Sequence, residues 1–388
     1  MKIGINAYFL RYYQIGISQY LIHLLKGLGD IDQSNKYVLF GSQPLTHNTD
    51  ILAQLPYEVA STPALASGHK DIEKFVWEQF TGPAAAHKAG VDIFHIPYFA
   101  TPLLPRTPTI VTIHDMIPLR LPVYRDALHK KAYMYVSVRA AHKATFVITV
   151  SKHAKQDIMD VLKLPPERIR VIYEAAGEEY VPIRDPLRLA EVRERYGVSG
   201  RYILYLGGLD QRKNVLQLVR AFAQVYQRLG NSCPKLLIAG NPDKQKGPLF
   251  PDPRPLAADL GVTDQIIYHF IREEDKPAVY SGAEVFIFPS LYEGFGLTPL
   301  EAMGCGTPVI CSNRTSLPEV VGDAAMSINP DNVQEMVEAM SSILTNKELQ
   351  ANLRERSLRR AAQFSWRKAA AETIEVYEEV FAKRILHE

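Results

Sequence analysis

Short apolar runs alternate with longer stretches of helical periodicity along a chain of 388 residues. Most runs are apolar at consecutive positions, which is typical of strands buried on both faces of a parallel sheet. In the first half the predicted strands are Lys2–Asn6, Tyr37–Phe40, Asp92–Ile96, Thr109–Ile113, Thr145–Val150 and Arg170–Tyr173. In the second half they are Tyr202–Leu206, Lys235–Ala239, Ile266–His269, Val285–Pro289, Pro308–Cys311 and Met326–Ile328.

Amphipathic helices are predicted between these strands. Apolar residues recur at helical spacing over 17–28 and over 216–226, so each segment carries one apolar stripe. Alternating strands and helices predict an α/β protein with parallel sheets. The pattern restarts after a charged linker that contains a predicted helix, Pro186–Tyr196, and a last helix is predicted at Arg367–Lys383. We therefore expect two doubly wound, Rossmann-like domains that face each other across a cleft, where ligands commonly bind.

Composition is that of a folded protein, with 47% hydrophobic and 22% charged residues, which excludes disorder and disulfide scaffolds. The net charge of +2 hides an uneven distribution. Residues 1–175 hold 19 Lys and Arg against 14 Asp and Glu, a balance of +5, whereas the remainder holds 25 against 28, a balance of −3. No block of like charges is dense enough for a nucleic-acid-binding tail, so no nucleic-acid partner is expected.

The cysteines and the N-terminal residues indicate the cellular compartment of the protein. Cys233, Cys305 and Cys311 are odd in number and lack metal-like spacing, which predicts a reduced protein. The segment Met1–Asn6 lacks the apolar core of a signal peptide, and no run of 18 apolar residues occurs. We expect a cytoplasmic protein, with peripheral contact at the inner face of the membrane left open.

The strongest chemical signal follows the strand Val285–Pro289, in the segment 290–302. Gly294 and Gly296 permit a tight turn before a helix, and the amides of Phe295, Gly296 and Leu297 would form an anion site at its N-terminus. Glu293 and Glu301 flank that site and could accept hydrogen bonds from hydroxyls on either side of it. A sugar nucleotide offers this order of groups: sugar hydroxyls, diphosphate and ribose. The simpler interpretation is a glycine turn with a helix-capping glutamate.

A second signal, Gly207–Asn214, follows the strand Tyr202–Leu206. Arg212 and Lys213 combine a planar fork of donors with a point charge, which suits a diphosphate. Asn214 could cap a helix that begins near Val215. The alternative interpretation is a solvated helix start.

Signals in the first half are weaker. Gly16 opens the first long helix and could let the loop approach a phosphate, or it could be a simple turn residue. His114 and Asp115 end a strand, where His114 could donate to a sugar hydroxyl or to the departing phosphate and Asp115 could orient its ring. A structural His–Asp pair is the alternative. Lys152 could approach a ligand, but the preceding Ser151 is better explained as a helix cap.

The segment 120–155 is strongly basic, with eight Lys and Arg against Asp126 alone and with tyrosines interleaved. One interpretation is a surface that docks an anionic acceptor or a membrane rich in head groups. The other, which the sequence favours, is a solvated helix face.

Several chemistries are not indicated. The sequence shows no Ser-His-Asp or Cys-His arrangement, no ligand spacing for a metal and no Asp-x-Asp signature, so neither metal nor cofactor is predicted. The glycines do not follow the GxGxxG spacing, which argues against a nicotinamide dehydrogenase.

Taken together, these motifs resemble the retaining glycosyltransferases of family 4, which have the GT-B fold. The pair Glu293 and Glu301 matches that family's double-glutamate motif, and Gly207–Asn214 resembles its glycine-then-Arg-Lys-Asn segment. The first-domain segments Thr112–Asp115 and Val150–Lys152 occupy the usual places, and Phe364–Trp366 precedes a helix that in the family crosses back onto the first domain. The loop Gln14–Tyr20 departs from the family pattern, which affects acceptor contacts more than donor binding.

The resemblance implies three domain segments and a set of residue roles. An acceptor-side domain would span 1–178, a sugar-nucleotide domain 196–366, and the returning helix 367–388. Glu293 would bind the donor sugar's hydroxyls, Arg212 and Lys213 would neutralise the diphosphate, and His114 would contact the transferred sugar. The implied donor-binding residues are Gly16, Gly208, Phe295, Gly296, Leu297, Thr298 and Glu301, and the acceptor-side residues are Asp115 and Lys152.

The expected activity is metal-independent transfer, with retention, of a mannose- or glucose-type hexose from a GDP- or UDP-sugar. The acceptor would be a hydroxyl of a glycan or a lipid-linked glycan in the synthesis of cell-surface polysaccharide. Two enzymes of the same fold remain alternatives, a sugar-nucleotide epimerase and a phosphorylase. An alternative of another class is a non-catalytic sugar-nucleotide sensor.

Overall fold

The computed structural model describes residues 1–12, 16–42, 57–61, 69–243 and 247–385. The chain divides into two compact units, each with its own parallel sheet. Unit 1 comprises Met1–Glu174 together with Ser365–Glu388, and unit 2 comprises Ala175–Phe364.

The sheet of unit 1 has the strand order β3-β2-β1-β4-β5-β6-β7, with every neighbouring pair parallel. Its strands are β1 (Lys2–Asn6), β2 (Lys36–Gly41), β3 (Glu58–Ser61), β4 (Ile93–Ile96), β5 (Thr109–Ile113), β6 (Phe146–Thr149) and β7 (Ile169–Val171). The direction of winding reverses between β1 and β4, where Ile3 lies opposite both Tyr37 and Ile93. That reversal is the topological switch point of a doubly wound sheet.

Unit 2 repeats the arrangement in the order β10-β9-β8-β11-β12-β13, again with parallel neighbours. Its strands are β8 (Tyr202–Leu206), β9 (Lys235–Ala239), β10 (Ile266–His269), β11 (Val285–Phe288), β12 (Val309–Ser312) and β13 (Ala325–Ile328). The switch point lies between β8 and β11, where Ile203 pairs with Val285.

Helices are numbered in chain order through both units. Those of unit 1 are α1 (Gly16–Ile31), α2 (Lys70–Val76), α3 (Gly82–Lys88), α4 (Ile117–Arg120), α5 (Leu128–Ala141), α6 (Lys152–Leu162) and α15 (Trp366–Ile385), with a π-helical turn at Trp77–Thr81. Those of unit 2 are α7 (Pro186–Arg195), α8 (Val215–Leu229), α9 (Arg254–Asp259), α10 (Lys276–Ser281), α11 (Leu297–Gly304), α12 (Leu317–Val321), α13 (Val333–Thr345) and α14 (Lys347–Ala361). Short 3-10 turns lie at Tyr8–Arg11, Pro122–Arg125, Pro166–Arg168, Gln211–Lys213, Gly230–Ser232, Thr263–Gln265, Glu273–Asp275 and Gly322–Ala324.

The C-terminal helix α15 packs against α1 in unit 1, at a point where only glycine fits. A Cβ on Gly27 would lie 2.7 Å from the backbone oxygen of Trp366, so the two helices approach backbone to backbone. The Trp366 ring stacks on His23 at 5.4 Å, and Arg170 forms an ion pair with Glu379 at 2.9 Å. A buried chain of hydrogen bonds continues inward, from Tyr377 to His95 at 2.7 Å and from His95 to Thr112 at 2.8 Å.

Each strand predicted from the apolar runs is present, with ends that are identical to the predicted ones or differ by at most two residues. These strands were recognisable because their residues are buried on consecutive positions, as in Thr109–Ile113. Strand β3 was not predicted, because Glu-Val-Ala-Ser at the sheet edge is short and only half apolar.

Candidate functional site

Two glycine-containing loops of unit 2 emerge at the switch point of its sheet. Strand β8 leads into Gly207 and Gly208, and the neighbouring strand β11 leads into the loop that carries Glu293. Because both strands are parallel, their carboxyl ends share one edge of the sheet. Ligands of open α/β sheets bind in the crevice beside that edge.

Three predicted residues meet there in a compact ion cluster, called here the Arg–Lys–Glu cluster: Arg212, Lys213 and Glu293. Arg212 Nη1 lies 2.8 Å from Glu293 Oε2, and Lys213 Nζ lies 2.7 Å from Glu293 Oε1. Asp210 adds a second carboxylate, 3.2 Å from Arg212 Nε. The two cations are therefore balanced by two carboxylates.

Backbone hydrogen bonds join the two loops and set this geometry. Arg212 and Lys213 lie in the 3-10 turn Gln211–Lys213, where the Arg212 carbonyl accepts from the Leu291 amide at 2.7 Å. Ser290 Oγ donates to Glu293 Oε1 at 2.6 Å, and Arg212 Nη1 donates to the Tyr292 carbonyl at 3.0 Å. The side chains that form the cluster are thus held by the same contacts that hold the loops.

The cluster lies in a largely desolvated place, where the side chains of Arg212, Lys213 and Glu293 are only 14%, 12% and 13% exposed. Burial would raise the pKa of Glu293, but the charges of Lys213 and Arg212 outweigh burial and hold that pKa below its usual value. Burial lowers the pKa of Lys213, against the attraction of Glu293. Lys213 Nζ also lies 4.6 Å from the centroid of the Phe288 ring, a cation–π contact.

The N-terminus of α11 is built by a glycine that no other residue could replace without strain. Gly296 has φ of +124°, and a Cβ there would lie 2.8 Å from Leu317 Cδ2. As the N-cap residue of α11, Gly296 brings no capping side chain to the amides of Leu297 and Thr298. The helix starts at Leu297 and carries Pro299 in its first turn, as predicted.

Two residues after β12 support this turn, and the sequence reasoning missed them. Ser316 Oγ donates to the carbonyls of Glu293 at 2.9 Å and Phe295 at 2.5 Å. Thr315 Oγ1 accepts from the Glu293 amide at 3.0 Å, although Thr315 itself has φ of +56°. The only available signal was a polar run after a strand, 312–316, which is common in loops.

Glu301 lies one turn into α11, as predicted, and is almost completely buried. Tyr280 Oη donates to Glu301 Oε2 at 2.9 Å. Burial raises the pKa of Glu301 from its ordinary value of 4.5 to about 7, and the nearby Lys276 offsets only part of that effect. Glu301 therefore changes charge near neutral pH, unlike Glu293.

His114 follows β5 in unit 1, and its ring is held from three sides. Its Nδ1 lies 2.9 Å from Glu174 Oε1, its Nε2 lies 3.0 Å from the Pro97 carbonyl, and the Tyr20 ring packs edge-on at 4.6 Å. Both partners of the ring nitrogens are acceptors, which favours the doubly protonated ring. Burial alone would lower the pKa of His114, but the Glu174 carboxylate raises it above 6.5 overall.

The prediction that Asp115 orients the His114 ring was wrong, because Glu174 and Pro97 occupy both ring nitrogens. Asp115 Oδ1 instead accepts from the Ile117 amide at 2.9 Å, at the start of α4. Glu174 was missed because it lies 60 positions away in sequence. Any donation from His114 to a ligand requires one of its two hydrogen bonds to open.

The prediction that Asn214 caps a helix was half right. Helix α8 begins at Val215 with Asn214 as its N-cap residue, but the Asn214 side chain donates to the Pro330 carbonyl at 2.7 Å and makes no capping bond. Asn214 adopts the left-handed conformation at φ of +60°, which turns its side chain away from the helix.

The remaining predicted residues fall at helix starts or in turns. Ser151 caps α6 by accepting from the Ala154 amide at 3.0 Å, which confirms the predicted cap, and exposed Lys152 begins that helix. Gly16 is the exposed first residue of α1, whereas Gln14 and Ile15 of the same loop lie outside the described residues. The Gly208 carbonyl accepts from Tyr205 Oη at 2.5 Å.

Within the ranges that the structure describes, no group of three or more His, Cys, Asp or Glu side chains is arranged to hold a metal ion. Over the same ranges, no helix is both long and apolar enough to cross a membrane.

Comparison with solved structures defines the class of the fold. HepE from Anabaena, solved in complex with UDP and glucose, superimposes with a TM-score of 0.75 over 98% of this chain and 100% of that chain, at 18% identity. Two parallel, doubly wound sheets of this kind make the chain a two-domain α/β protein of the GT-B glycosyltransferase fold.

The family follows from two family models that together match most of the chain. The model "Glycosyltransferase Family 4" matches residues 16–176, and the model "Glycosyl transferases group 1" matches residues 192–360. The chain belongs to glycosyltransferase family 4, group 1, and is a glycosyltransferase.

Several curated relatives are named mannosyltransferases. O-antigen chain mannosyltransferase B of Escherichia coli is 29% identical over 394 residues, covering 97% of this chain and 99% of that protein. Serotype-specific mannosyltransferase WbdA of Escherichia coli is 29% identical over 330 residues, covering 82% of this chain and 38% of that protein.

Proposed function

We propose that this protein transfers mannose, with retention, from a nucleotide-diphosphate mannose to a hydroxyl of a glycan or lipid-linked glycan. The observation that carries the proposal is the Arg–Lys–Glu cluster at the switch point of unit 2. Mannose is preferred over glucose because the relatives named above are mannosyltransferases. Their names also support a role in the synthesis of a cell-surface polysaccharide.

Donor binding would begin with an exchange of partners at the cluster. The diphosphate accepts hydrogen bonds from Arg212 and Lys213, whose positive charges Glu293 and Asp210 neutralise. Release of Glu293 from the cations leaves its carboxylate ready to accept from the hydroxyls of the sugar. The amides of Phe295, Gly296, Leu297 and Thr298 and the turn at Gly208 add donors to the phosphates, and Glu301 accepts from the ribose hydroxyls.

In the transfer step, the bond between the anomeric carbon and the diphosphate oxygen breaks while a bond to the acceptor oxygen forms. Positive charge grows on the sugar ring and negative charge on the leaving nucleoside diphosphate. Arg212, Lys213 and the N-terminus of α11 stabilise that negative charge. The acceptor hydroxyl attacks from the side of the leaving phosphate and gives its proton to that phosphate, so configuration is retained.

Unit 1 would supply the acceptor contacts. His114, as an imidazolium held by Glu174, faces the transferred sugar, while Asp115 and Lys152 belong to the acceptor side and Gly16 to the donor-binding residues. We propose that Arg212 and Lys213 replace a metal ion at the diphosphate, so transfer should continue in the presence of EDTA. We also propose a cytoplasmic location, which suits three free thiols.

The test begins with thermal shifts of the full chain with GDP, UDP, GDP-mannose and UDP-glucose, followed by product analysis with radiolabelled donor. We expect GDP-mannose to stabilise the chain most and to yield labelled glycan with the anomeric configuration of the donor. Stabilisation by UDP-glucose instead would change the assigned donor. Inverted product would overturn the retaining mechanism.

The alternatives give distinct results in the same assay. Epimerisation gives an epimeric sugar nucleotide without an acceptor, and phosphorolysis consumes inorganic phosphate. A sensor binds the donor and leaves it intact through long incubation. Any of these three results would overturn glycosyl transfer.

A further inference from the structure

The turn 293–296, which leads into α11, packs directly against α12. Ser316, the N-cap residue of α12, donates through its Oγ to the Phe295 carbonyl at 2.5 Å. The first residue of α12, Leu317, lies so close to Gly296 that a Cβ on this glycine would come within 2.8 Å of Leu317 Cδ2. Any displacement of α12 would therefore displace the turn as well.

Arg360, in the last turn of α14, holds the other end of α12. Its guanidinium donates to the Val320 carbonyl at 2.8 Å and to the Glu319 carbonyl at 2.6 Å. The carbon of the same guanidinium lies 5.0 Å from the centroid of the Phe364 ring, in a cation–π contact. One arginine thus fixes both the position of α12 and the position of the Phe364 ring.

Phe364 completes this set of contacts, because its ring packs against the turn itself. The Phe364 and Phe295 rings meet edge to face, with their centroids 6.0 Å apart. Phe295 is buried, and an edge-to-face pair of aromatic rings constrains orientation as well as separation. The contacts therefore form a closed set that runs from the turn through α12, Arg360 and Phe364 back to the turn.

Phe364 also occupies a special place in the chain. It is the last residue of unit 2, and the chain returns to unit 1 directly after it. Two residues further on, the Trp366 ring stacks on His23 at 5.4 Å and packs edge-on against Tyr20 at 5.6 Å. Tyr20 in turn packs edge-on against His114 at 4.6 Å. The residue that supports the turn in unit 2 is therefore joined by two peptide links to a residue that packs near His114 in unit 1.

We propose that Phe364 is a positioning residue for the donor diphosphate: it holds the turn 293–296 through Phe295, and it transmits diphosphate binding along the chain to Trp366. Phe364 acts through Phe295 and needs no contact with the sugar. The inference rests on the proposed function, in which the amides at the start of α11 bind the diphosphate. Because such amides act only when they are oriented before the ligand arrives, a turn that loses one of its supports should bind phosphate less tightly.

Titration calorimetry of the full chain with GDP and UDP, each compared with its nucleoside, tests the positioning role. Phe364→Ala should weaken binding of the better nucleotide by about tenfold, because the turn loses its aromatic support. Affinity for the nucleoside without phosphates should stay within about twofold of the wild type, since the turn is assigned to the phosphates alone. Phe364→Tyr keeps an aromatic ring and should retain the affinity of the wild type.

Two further variants complete the comparison. Tyr226→Ala is the matched control, because Tyr226 is a partly buried aromatic residue that packs against the hydrophobic core of the same unit. It should leave nucleotide affinity unchanged. Phe364→Leu keeps the apolar bulk without a ring, so it should weaken nucleotide binding by about threefold even if Phe364→Ala is too unstable to assay.

Transmission to unit 1 has a spectroscopic readout of its own. The chain contains two tryptophans, Trp77 and Trp366, and both are buried in unit 1. With 5-fluorotryptophan incorporated, each gives one ¹⁹F resonance, and Trp77→Phe assigns them. Saturating nucleotide should shift the Trp366 resonance and leave the Trp77 resonance in place. Phe364→Ala at equal saturation should lose this shift, and Tyr226→Ala should keep it.

Arg212→Ala, measured in parallel, separates a failure of this inference from a failure of the proposed function. If Arg212→Ala lost nucleotide binding while Phe364→Ala bound like the wild type, Phe364 would have no positioning role and the donor site would stand. If neither variant affected binding, the proposed function and this inference would both be overturned.

Three other outcomes would overturn the inference alone. One is an equal loss of affinity for nucleotide and nucleoside in Phe364→Ala, and another is an equal loss of nucleotide affinity in Phe364→Ala and Tyr226→Ala. Either result would make Phe364 a general packing residue. The third is a shift of the Trp366 resonance that persists in saturated Phe364→Ala, which would exclude transmission through Phe364.

Discussion

The two candidate sites of this chain are built in opposite ways, although both follow a strand of a doubly wound sheet. In unit 2, three ion pairs link four charged groups, and all four come from two short loops. In unit 1, a single histidine is held by one carboxylate, one carbonyl and one aromatic ring. The first site is dense in charge, and the second holds one cation at most.

This difference indicates different ligands for the two units. A charge-dense site in a poorly solvated place suits a diphosphate, since the cations are oriented before the ligand arrives. A lone imidazolium suits a hydroxyl or one oxygen of a phosphate. A local arrangement of this kind would let a half with a net charge of −3 bind an anion, because the nearby cations outweigh the overall charge.

The largest expected effect tests the charge-dense site. Arg212→Ala and Lys213→Ala should each lower kcat/KM for transfer by about a hundredfold to a thousandfold, because each removes a donor aimed at the leaving group. The affinity for a nucleoside diphosphate should fall in parallel. The affinity for the nucleoside without phosphates should stay within twofold of the wild type.

Arg228→Ala is the matched control for these two variants. Arg228 is an exposed arginine of the same unit and pairs with Glu338 at 3.0 Å. It should leave transfer and nucleotide binding unchanged. If Arg212→Ala and Lys213→Ala retained full activity with intact folding, the assignment of the cluster to the diphosphate would be abandoned.

The second prediction concerns Glu301, whose pKa is raised, in contrast to the lowered pKa of Glu293. The pKa of Glu301 is raised from 4.5 to about 7. Between pH 4.5 and 7, Glu301 therefore keeps its proton in the folded state and has lost it in the unfolded state. The free energy of unfolding should therefore fall as pH rises from 4.5 to 7, by about 3 kcal/mol from this group. Glu301→Gln should remove that fall and weaken donor binding about tenfold, through the loss of charge-assisted hydrogen bonds.

Calorimetry of donor binding near pH 6.5, in buffers of different ionisation enthalpy, provides the second readout. Ribose hydroxyls stabilise the ionised carboxylate, so the wild type should release a proton on binding, and Glu301→Gln should release none. Proton release that persists in Glu301→Gln would assign the titration to another group.

The sequence was most informative where function depends on neighbours in the chain. Arg212 and Lys213 are adjacent, Glu293 and Gly296 lie in one turn, and the strands before them are recognisable by continuous apolar runs. Doubly wound topology then places the two loops side by side. The proximity of the two loops could therefore be predicted from motif and fold class, but the ion pairs between their side chains were not predicted.

The parts that escaped prediction depend on contacts between distant positions. Glu174 reaches His114 across 60 residues, and Tyr377 reaches His95 across 282. Neither Glu174 nor Tyr377 stands in a motif, since a glutamate in a linker and a tyrosine in an amphipathic helix are common. The side-chain direction of Asn214 depended on a left-handed backbone conformation that residue type alone does not determine.

The third prediction concerns the site of unit 1. Glu174→Gln retains a hydrogen-bond acceptor for His114 but removes the negative charge that raises its pKa. The pKa of His114 should fall, and the alkaline limb of the transfer profile should move to lower pH with a loss of about fivefold at neutral pH. Glu174→Gln should lower the free energy of unfolding most below pH 6.5, because the raised pKa of His114 stabilises the wild type there and this contribution is lost as pH rises through that raised pKa.

Glu167→Gln is the control for this variant, because Glu167 is an exposed glutamate of the same unit. If Glu174→Gln lowered transfer equally at all pH values and left the shape of the pH profile unchanged, Glu174 would have only a structural role.

The smallest effect on activity is expected from Tyr377→Phe in the C-terminal helix. Tyr377 and His95 are fully buried, and burial lowers the pKa of His95 to about 3, so the ring is neutral and needs both of its hydrogen bonds. Loss of the Tyr377 hydroxyl leaves His95 Nδ1 without its partner, which should cost about 1–3 kcal/mol of stability.

Scanning calorimetry with and without a nucleoside diphosphate measures how the two units respond. The variant should lower the melting temperature of unit 1, the ligand should raise that of unit 2, and kcat/KM at 25 °C should stay within about twofold of the wild type because neither residue touches the proposed ligands. A hundredfold loss of transfer in a folded Tyr377→Phe protein would mean that the helix α15 controls the chemistry, and the division of labour between a charge-dense donor unit and a lightly charged acceptor unit would have to be redrawn.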